Sequence, residues 1–297
     1  MLDKITGMRV FVSVVKKGSF AAAAQALTLS PQMVARHIAA LEQHLATRLL
    51  NRTTRKQSIT PTGQDYFYRC VAILDALDEA ERAARGTALL PYGTLRLNAP
   101  VTFGRYALAP FLTAFLQRYT QLRVELTLTD ALIDPLEHGI DAVIRIGELA
   151  PSLRLAAKPL SPYRLIACAS PRYLEKQGTP QHPDELQQHN CLGFTPWLHD
   201  NAFHWPFTHG DDRGDVQVSG SLTINDWGAM LEAALCGGGV LLGYELALSE
   251  PLRRGELVRL LPEYAFPQKA MHLLYDPRRA GETRLRVLID ELCARLP

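Results

Sequence analysis

Apolar residues recur at helical spacing along the first forty-five positions, and shorter, strand-like alternations follow. Ile5, Met8, Val12 and Val15 succeed one another at spacings of 3, 4 and 3 with Phe11 beside them, which predicts an amphipathic helix from Leu2 to Lys17 that stops at Gly18. Ser19 then caps a second helix, Phe20 to Leu27, whose small residues Ala21 to Ala24 let another helix come close. After Thr28-Leu29, Ser30 caps a third helix and Pro31 takes its first position, where the missing N–H costs nothing. Val34, Ile38, Leu41 and Leu45 form the buried stripe of that helix, leaving Gln32, Met33, Ala35, Arg36, His37 and Ala40 outward or at the stripe's margin.

Two short helices joined at a tight break, the second showing long polar side chains near its start, have the helix-turn-helix layout that enters a major groove. On this reading Gln32 reaches an adenine edge, Arg36 a guanine, and His37 a phosphate. A solvated face on a small helical bundle fits the same spacing. Charge changes the balance between them. Met1 to Thr60 holds nine Lys and Arg against Asp3 and Glu42, whereas the whole chain nets only +2, so a cationic head is joined to a net acidic body. Leu49 to Thr60 reads as two β-like stretches around a basic turn, a wing that lays Arg52, Arg55 and Lys56 along phosphates or into a minor groove. A basic surface hairpin is the plain alternative.

Thr60-Pro61 opens a long helix reaching about Arg85, with no further proline. Tyr66, Cys70, Ile73, Leu77, Ala80 and Ala84 lie along it at alternating spacings of 4 and 3, the seam of a helix that pairs with its own copy, although a long core helix has the same pattern. Pairing sets two recognition helices about 34 Å apart and implies a pseudo-palindromic site. Beyond Gly86 to Tyr92, strands and helices alternate. Strand candidates are Leu95 to Ala99, Val124 to Thr129, Ala142 to Ile146, Arg164 to Ala169, Cys191 to Phe194, Leu222 to Ile224, Val240 to Leu242 and His272 to Tyr275. Helices are expected at Pro171 to Lys176, Trp227 to Leu235 and Thr283 to Leu296, and that order favours βαβ units on a mainly parallel sheet.

Met8-Arg9-Val10-Phe11, Gly18-Ser19-Phe20, Leu29-Ser30-Pro31, Leu49-Leu50-Asn51-Arg52-Thr53-Thr54-Arg55 and Thr60-Pro61-Thr62-Gly63 closely resemble LysR-type transcriptional regulators. The likeness continues through Ala99-Pro100-Val101-Thr102-Phe103-Gly104, Gly139-Ile140-Asp141-Ala142-Val143 and Cys168-Ala169-Ser170-Pro171, essentially the whole chain. It implies an α/β multidomain protein: a winged helix-turn-helix at 1–60, a dimerising linker helix at 61–86, a joint at 87–92, and a two-lobed, periplasmic-binding-protein-like effector domain at 93–297. Lobe I spans 93–161 and 269–297, and lobe II 162–268. The implied partners are double-stranded DNA at a promoter, a small-molecule effector and further copies of the chain as homodimer or homotetramer, with RNA polymerase an open addition. The family commonly carries Ser where this chain has Ala35, so the contact of that hydroxyl is not available here.

Ligands of such sheets sit at the carboxyl ends of strands, in the crevice between lobes. That rule selects Pro100, Thr102, Phe103, Thr129 and Arg145 on lobe I, and Ser170 and Asn225 on lobe II. The helix beginning near Thr102 offers N–H groups to an anion and Arg145 a bidentate clamp, so the effector is expected to be anionic. Arg145 has a plain alternative as an ion pair with Asp141 or Glu148, and Ser170 and Asn225 as helix caps. Other chemistry finds little support. The five cysteines are widely spaced and form no Cys-x-x-Cys, no apolar run spans a bilayer, and Gly237-Gly238-Gly239 follows a helix and precedes a strand, the reverse of a dinucleotide loop. His199, His204 and His209 recur every five residues, which suits neither a helix face nor a strand face for metal. The expectation is a cytoplasmic regulator without cofactor, metal or catalytic set. An exported solute-binding protein or an α/β enzyme would share the body, but neither accounts for the basic head.

Overall fold

The computed structural model describes residues 3–52, 57–84, 91–131, 135, 139–149, 154–197 and 203–296. The head begins with α1 (Lys4–Lys17), α2 (Phe20–Leu27) and α3 (Pro31–Leu45). Each start has its own cap: the Asp3 carboxylate accepts from the N–H groups of Ile5 and Thr6, Ser19 from Ala22 and Ser30 from Met33. Gly18 closes α1 in the left-handed conformation at φ +72°.

Val34, Ile38 and Leu41 of α3 are buried, as their spacing predicts, and Leu45 is half-buried. The face of α1 is rotated from the expected one. Gly7, Val10, Phe11 and Val14 are buried, whereas Ile5 is exposed and Met8, Val12 and Val15 are half-buried. Phe11, the bulkiest apolar side chain of α1, takes the centre of the core and turns the helix with it. Gly7, lacking a side chain, lets α3 approach at Leu41.

The wing strands β1 (Leu50–Arg52) and β2 (Gln57–Ile59) pair antiparallel. Glu42 anchors them to α3, since its Oε1 accepts from the N–H groups of Leu49 at 2.8 Å and Leu50 at 3.1 Å. Then comes α4 (Pro61–Ala84), whose first turn is held by Thr60 Oγ1 accepting from Gly63 N–H at 2.9 Å. A Cβ at Gly63 would stand 2.1 Å from the Leu49 carbonyl oxygen, so the wing and the helix meet there only because the residue is glycine.

Two residues of the expected pairing seam have another use. Cys70 is fully buried among the head's apolar residues, and Tyr66 packs on them with its ring 5.8 Å from that of Phe11. Burial raises both their pKa values, that of the Cys70 thiol to about 11. Ile73 is 47% exposed, Ala80 is exposed and Leu77 is half-buried, so the unpartnered part of the seam starts at Ile73.

Ion pairs tie α4 to the body. Asp75 lies 3.5 Å from Arg96 and 3.6 Å from Arg284, and the Arg284 side chain, 7% exposed, also meets Glu282 at 3.1 Å. Beside it, buried Asp141 pairs with Arg279 at 2.6 Å and accepts from the Arg96 backbone N–H at 2.6 Å.

The body starts with β3 (Gly93–Ala99), α5 (Val101–Phe103), a π-helical segment Gly104–Leu108, α6 (Ala109–Arg118), β4 (Leu122–Leu128), β5 (Ala142–Ile146), β6 (Ala156–Ala169) and α7 (Pro171–Gln177). It continues with β7 (Gly193–Phe194), β8 (Phe203–His209), β9 (Asp212–Val218), β10 (Thr223–Ile224), α8 (Trp227–Leu235), β11 (Leu241–Tyr244), α9 (Glu245–Arg253), β12 (Val258–Leu260), β13 (Gln268–Tyr275) and α10 (Thr283–Arg295). A seven-stranded sheet runs β11-β6-β13-β5-β3-β4, with β12 also on β6. Its parallel pairs are β3 with β4 and with β5; every pair involving β6 or β13 is antiparallel. The mainly parallel sheet expected from alternation is therefore a mixed one. The βαβ crossover through α5 and α6 produces parallel strands only locally, and β13 runs the other way between β5 and β6.

Gly63→Ala is expected to destabilise the head by about 1–3 kcal/mol, the range for overpacking without room to relax. Denaturant unfolding of the full chain measures it; an unchanged midpoint contradicts the close approach of wing and helix.

Candidate DNA interface and effector cleft

On α3, Gln32 and Arg36 are exposed and Met33 is half-buried, while the Ser30 hydroxyl accepts from the Met33 N–H at 3.2 Å. His37 corrects the expectation. It is 6% exposed, its Nδ1 has no partner among the described residues, and it faces a cavity of about 240 Å³ lined also by Asp3, Gly7, Leu41 and His44. Positions 34, 37, 38 and 41 form one helical stripe, so the placement was readable once His37 was counted with its apolar neighbours. Arg52 ends β1; its side chain, and Arg55 and Lys56, lie outside the described residues. Lys16, Lys17 and Arg48 are exposed on the same head.

The body holds a cavity of about 740 Å³ whose walls include Pro100, Thr102, Thr129 and Arg145. Three other expected residues do not reach it. Phe103 is fully buried in the apolar core, because the helix after β3 turns it inward. Ser170 is 2% exposed, its Oγ unpartnered among the described residues, at the head of α7 beside Gly237. Asn225 is exposed and off the wall, and the cap of α8 is Asp226, which accepts from the Ala229 N–H at 2.7 Å.

The helix start near Thr102 is also not open to an anion as expected. Val101 N–H already donates to Asp130 Oδ1 at 3.1 Å. Arg145 Nη1 donates to Asn98 Oδ1 at 3.1 Å, and fully buried Asn98 in turn donates to the Thr127 carbonyl at 3.0 Å. Burial lowers the pKa of Arg145, because the charged guanidinium loses hydration there. Asp141, one of the two ion-pair partners considered for Arg145, is engaged by Arg279.

Most of the opposite wall lay beyond sequence reasoning. Tyr163, Phe194, Trp197, Trp227, Gln268 and Lys269 all line the cavity. Tyr163 stacks on Tyr244 with centroids 4.0 Å apart at 9°, and the Thr102 hydroxyl hydrogen-bonds to it. Burial drives the Tyr163 phenol far above its usual range and that of Tyr244 to about 12, so both are neutral hydrogen-bonding groups. Trp227 packs edge-on against Tyr106 at 5.5 Å, and its buried indole N–H has no partner among the described residues. Nothing in local spacing marks these residues, since β6 and β13 bring them together from positions a hundred residues apart; a density of aromatics near strand ends was the available signal.

Comparison with known proteins agrees with this geometry. The family model of the bacterial regulatory helix-turn-helix protein, LysR family, matches residues 5–64, and that of the LysR substrate binding domain matches residues 90–297. An HTH-type transcriptional repressor of Pseudomonas aeruginosa (strain UCBPP-PA14) is 35% identical over 97% of this chain and 91% of its own length. The HTH-type transcriptional activator TtdR of Escherichia coli (strain UTI89 / UPEC) is 34% identical over 97% and 92%. The structure of CrgA, a LysR-type transcriptional regulator from Neisseria meningitidis, superposes with a TM-score of 0.62 at 32% identity, covering 98% of both chains. A winged helix-turn-helix head and a body built around an interlobe cavity, each matched by its own family model and joined by a long helix, place the chain in the LysR family of DNA-binding transcriptional regulators with an effector-binding domain.

Proposed function

We propose that the chain reads a promoter through Gln32, Met33 and Arg36, positioned by the Ser30 cap, with Arg52, Arg55 and Lys56 on the phosphates, and that a small organic anion in the interlobe cavity governs the outcome. The observation that carries the reading is the division of α3: Gln32 and Arg36 are exposed on a helix whose other side is locked into the core by Val34, Ile38 and Leu41. His37 is assigned to packing. The lobes are taken as 93–161 with 269–297, and 162–268, in keeping with the register irregularity between Lys269 and Met271 on β13.

Two copies pair through Ile73, Leu77 and Ala80 on α4, present two heads to a pseudo-palindromic site, and pair again as a tetramer. The protein acts in the cytoplasm, at promoters where RNA polymerase is the further partner. The effector, held by Thr102, Thr129 and Arg145, shifts the closure of the two lobes by the difference between its affinities for the open and closed forms. Asp75, between Arg96 and Arg284, carries that shift to α4.

Arg36→Ala is expected to lower operator affinity relative to random duplex by about 1–3 kcal/mol, and Arg52→Ala to weaken both alike while flattening the salt dependence by about one unit. Gel retardation over a salt series separates the two; unchanged discrimination by Arg36→Ala removes the recognition-helix assignment. Ile73→Asp is expected to shift the oligomer toward monomer in sedimentation at equal concentration, since a charge on a dry seam has no counter-ion. An unaltered distribution contradicts pairing through α4.

A further inference from the structure

A second cavity of about 400 Å³ adjoins the interlobe cavity, and the two share Pro196, Trp197 and Lys269 as walls. Its remaining lining is mainly apolar and from lobe II, chiefly Leu165, Trp205, Leu242, Phe203 and Pro206. His204, also on that wall, is bonded to Asp215 at 2.7 Å. At this size the chamber lies within the range of small-molecule sites.

Lys269 stands at the junction. It is half-buried, with Nζ 5.2 Å from the centroid of the Trp197 ring, and has no carboxylate partner among the described residues. Burial lowers its pKa. In register it faces Tyr163 on β6, directly before the irregularity where the two long strands pass from one lobe to the other. Arg145 is bonded to Asn98 and the N–H of Val101 to Asp130, and the indole N–H of Trp227 on the same wall is a neutral donor. A partly desolvated ammonium met by a π face alone lacks counter-charge, and a ring face replaces only part of the lost hydration.

We propose that Lys269 is the counter-ion for the anionic group of the effector, and that the effector is a carboxylate bearing an aromatic body, its charge at Lys269 and its ring beside Trp197 in the second chamber. The assignment rests on the interlobe cavity being the effector site. An aromatic body is favoured over an aliphatic one because Trp197, Phe203 and Trp205 all line the chamber, and aromatic neighbours reward an aromatic guest beyond the area it buries. Trp197, as the shared wall, sets how far the body extends.

Calorimetric titration of the full-length protein with 3-phenylpropionate, its neutral amide and acetate tests this. The acid is expected to bind at least about tenfold more tightly than either control; Lys269→Met is expected to remove that margin, and Lys269→Arg to keep most of it. Trp197→Ala is expected to weaken 3-phenylpropionate while leaving acetate unchanged. Without ligand, Lys269→Met is expected to melt at or above the wild-type temperature, because it removes an uncompensated charge and keeps the apolar stem. Equal binding of acid and amide, no binding of the acid at millimolar concentration, or full binding by Lys269→Met overturns the proposal. If Lys269→Met binds fully while Arg145→Ala or Thr129→Ala does not, only the counter-ion assignment fails. If all three bind fully, the cavity is not the effector site either.

Discussion

Burial of Val34, Ile38 and Leu41 against α1 and α2 sets the rotation of α3 about its own axis, and everything the head does with DNA follows from that angle. A helix in a groove has about three side chains within reach of base edges, and a turn of one residue, about 100°, would exchange them for others. The core therefore acts on recognition without touching DNA. Gly7 admits Leu41, Phe11 fills the centre, and Glu42 clasps the backbone at Leu49 and Leu50, so the wing is oriented by the same helix that Gln32 and Arg36 project from.

The connecting helix serves two masters. Its first turns complete the head, with Tyr66 and Cys70 closing the apolar core, and its later turns meet the body through Asp75 while leaving Ile73 open. Arg96 and Asn98 lie on the same strand, and Asp141 and Arg145 frame its neighbour. The ion cluster under α4 and the polar floor of the interlobe cavity are thus two ends of one pair of strands. On the proposed reading, this is the route by which lobe geometry reaches head geometry, through side chains that are paired at both ends.

Much of the head was legible because its information is local. Caps, helix lengths and the α3 stripe follow from residues a few positions apart, and Ser19, Ser30 and Gly18 all do what their positions predict. The failures have physical causes. His37 was read as polar and hence exposed, although its place in the 34, 37, 38, 41 stripe outweighs its chemistry. Tyr66 and Cys70 fit a heptad because one apolar stripe can serve either a partner helix or the chain's own core. In the body, β8 and β9 were missed since Pro206 interrupts the first, and α9 because Pro251 lies within it. Thr102, Thr129 and Arg145 were reachable through strand ends, but Tyr163, Trp227 and Lys269 meet only by tertiary folding.

The orientation of α3 toward base edges is most directly measured by attaching a DNA-cleaving iron chelate to the single surface thiol of a Gln32→Cys variant, made in a background with Cys236 and Cys293 replaced by Ser. Major-groove cleavage in two clusters about one helical turn apart on the bound promoter is the predicted result. Cleavage confined to the minor groove, or scattered without clusters, would contradict the account.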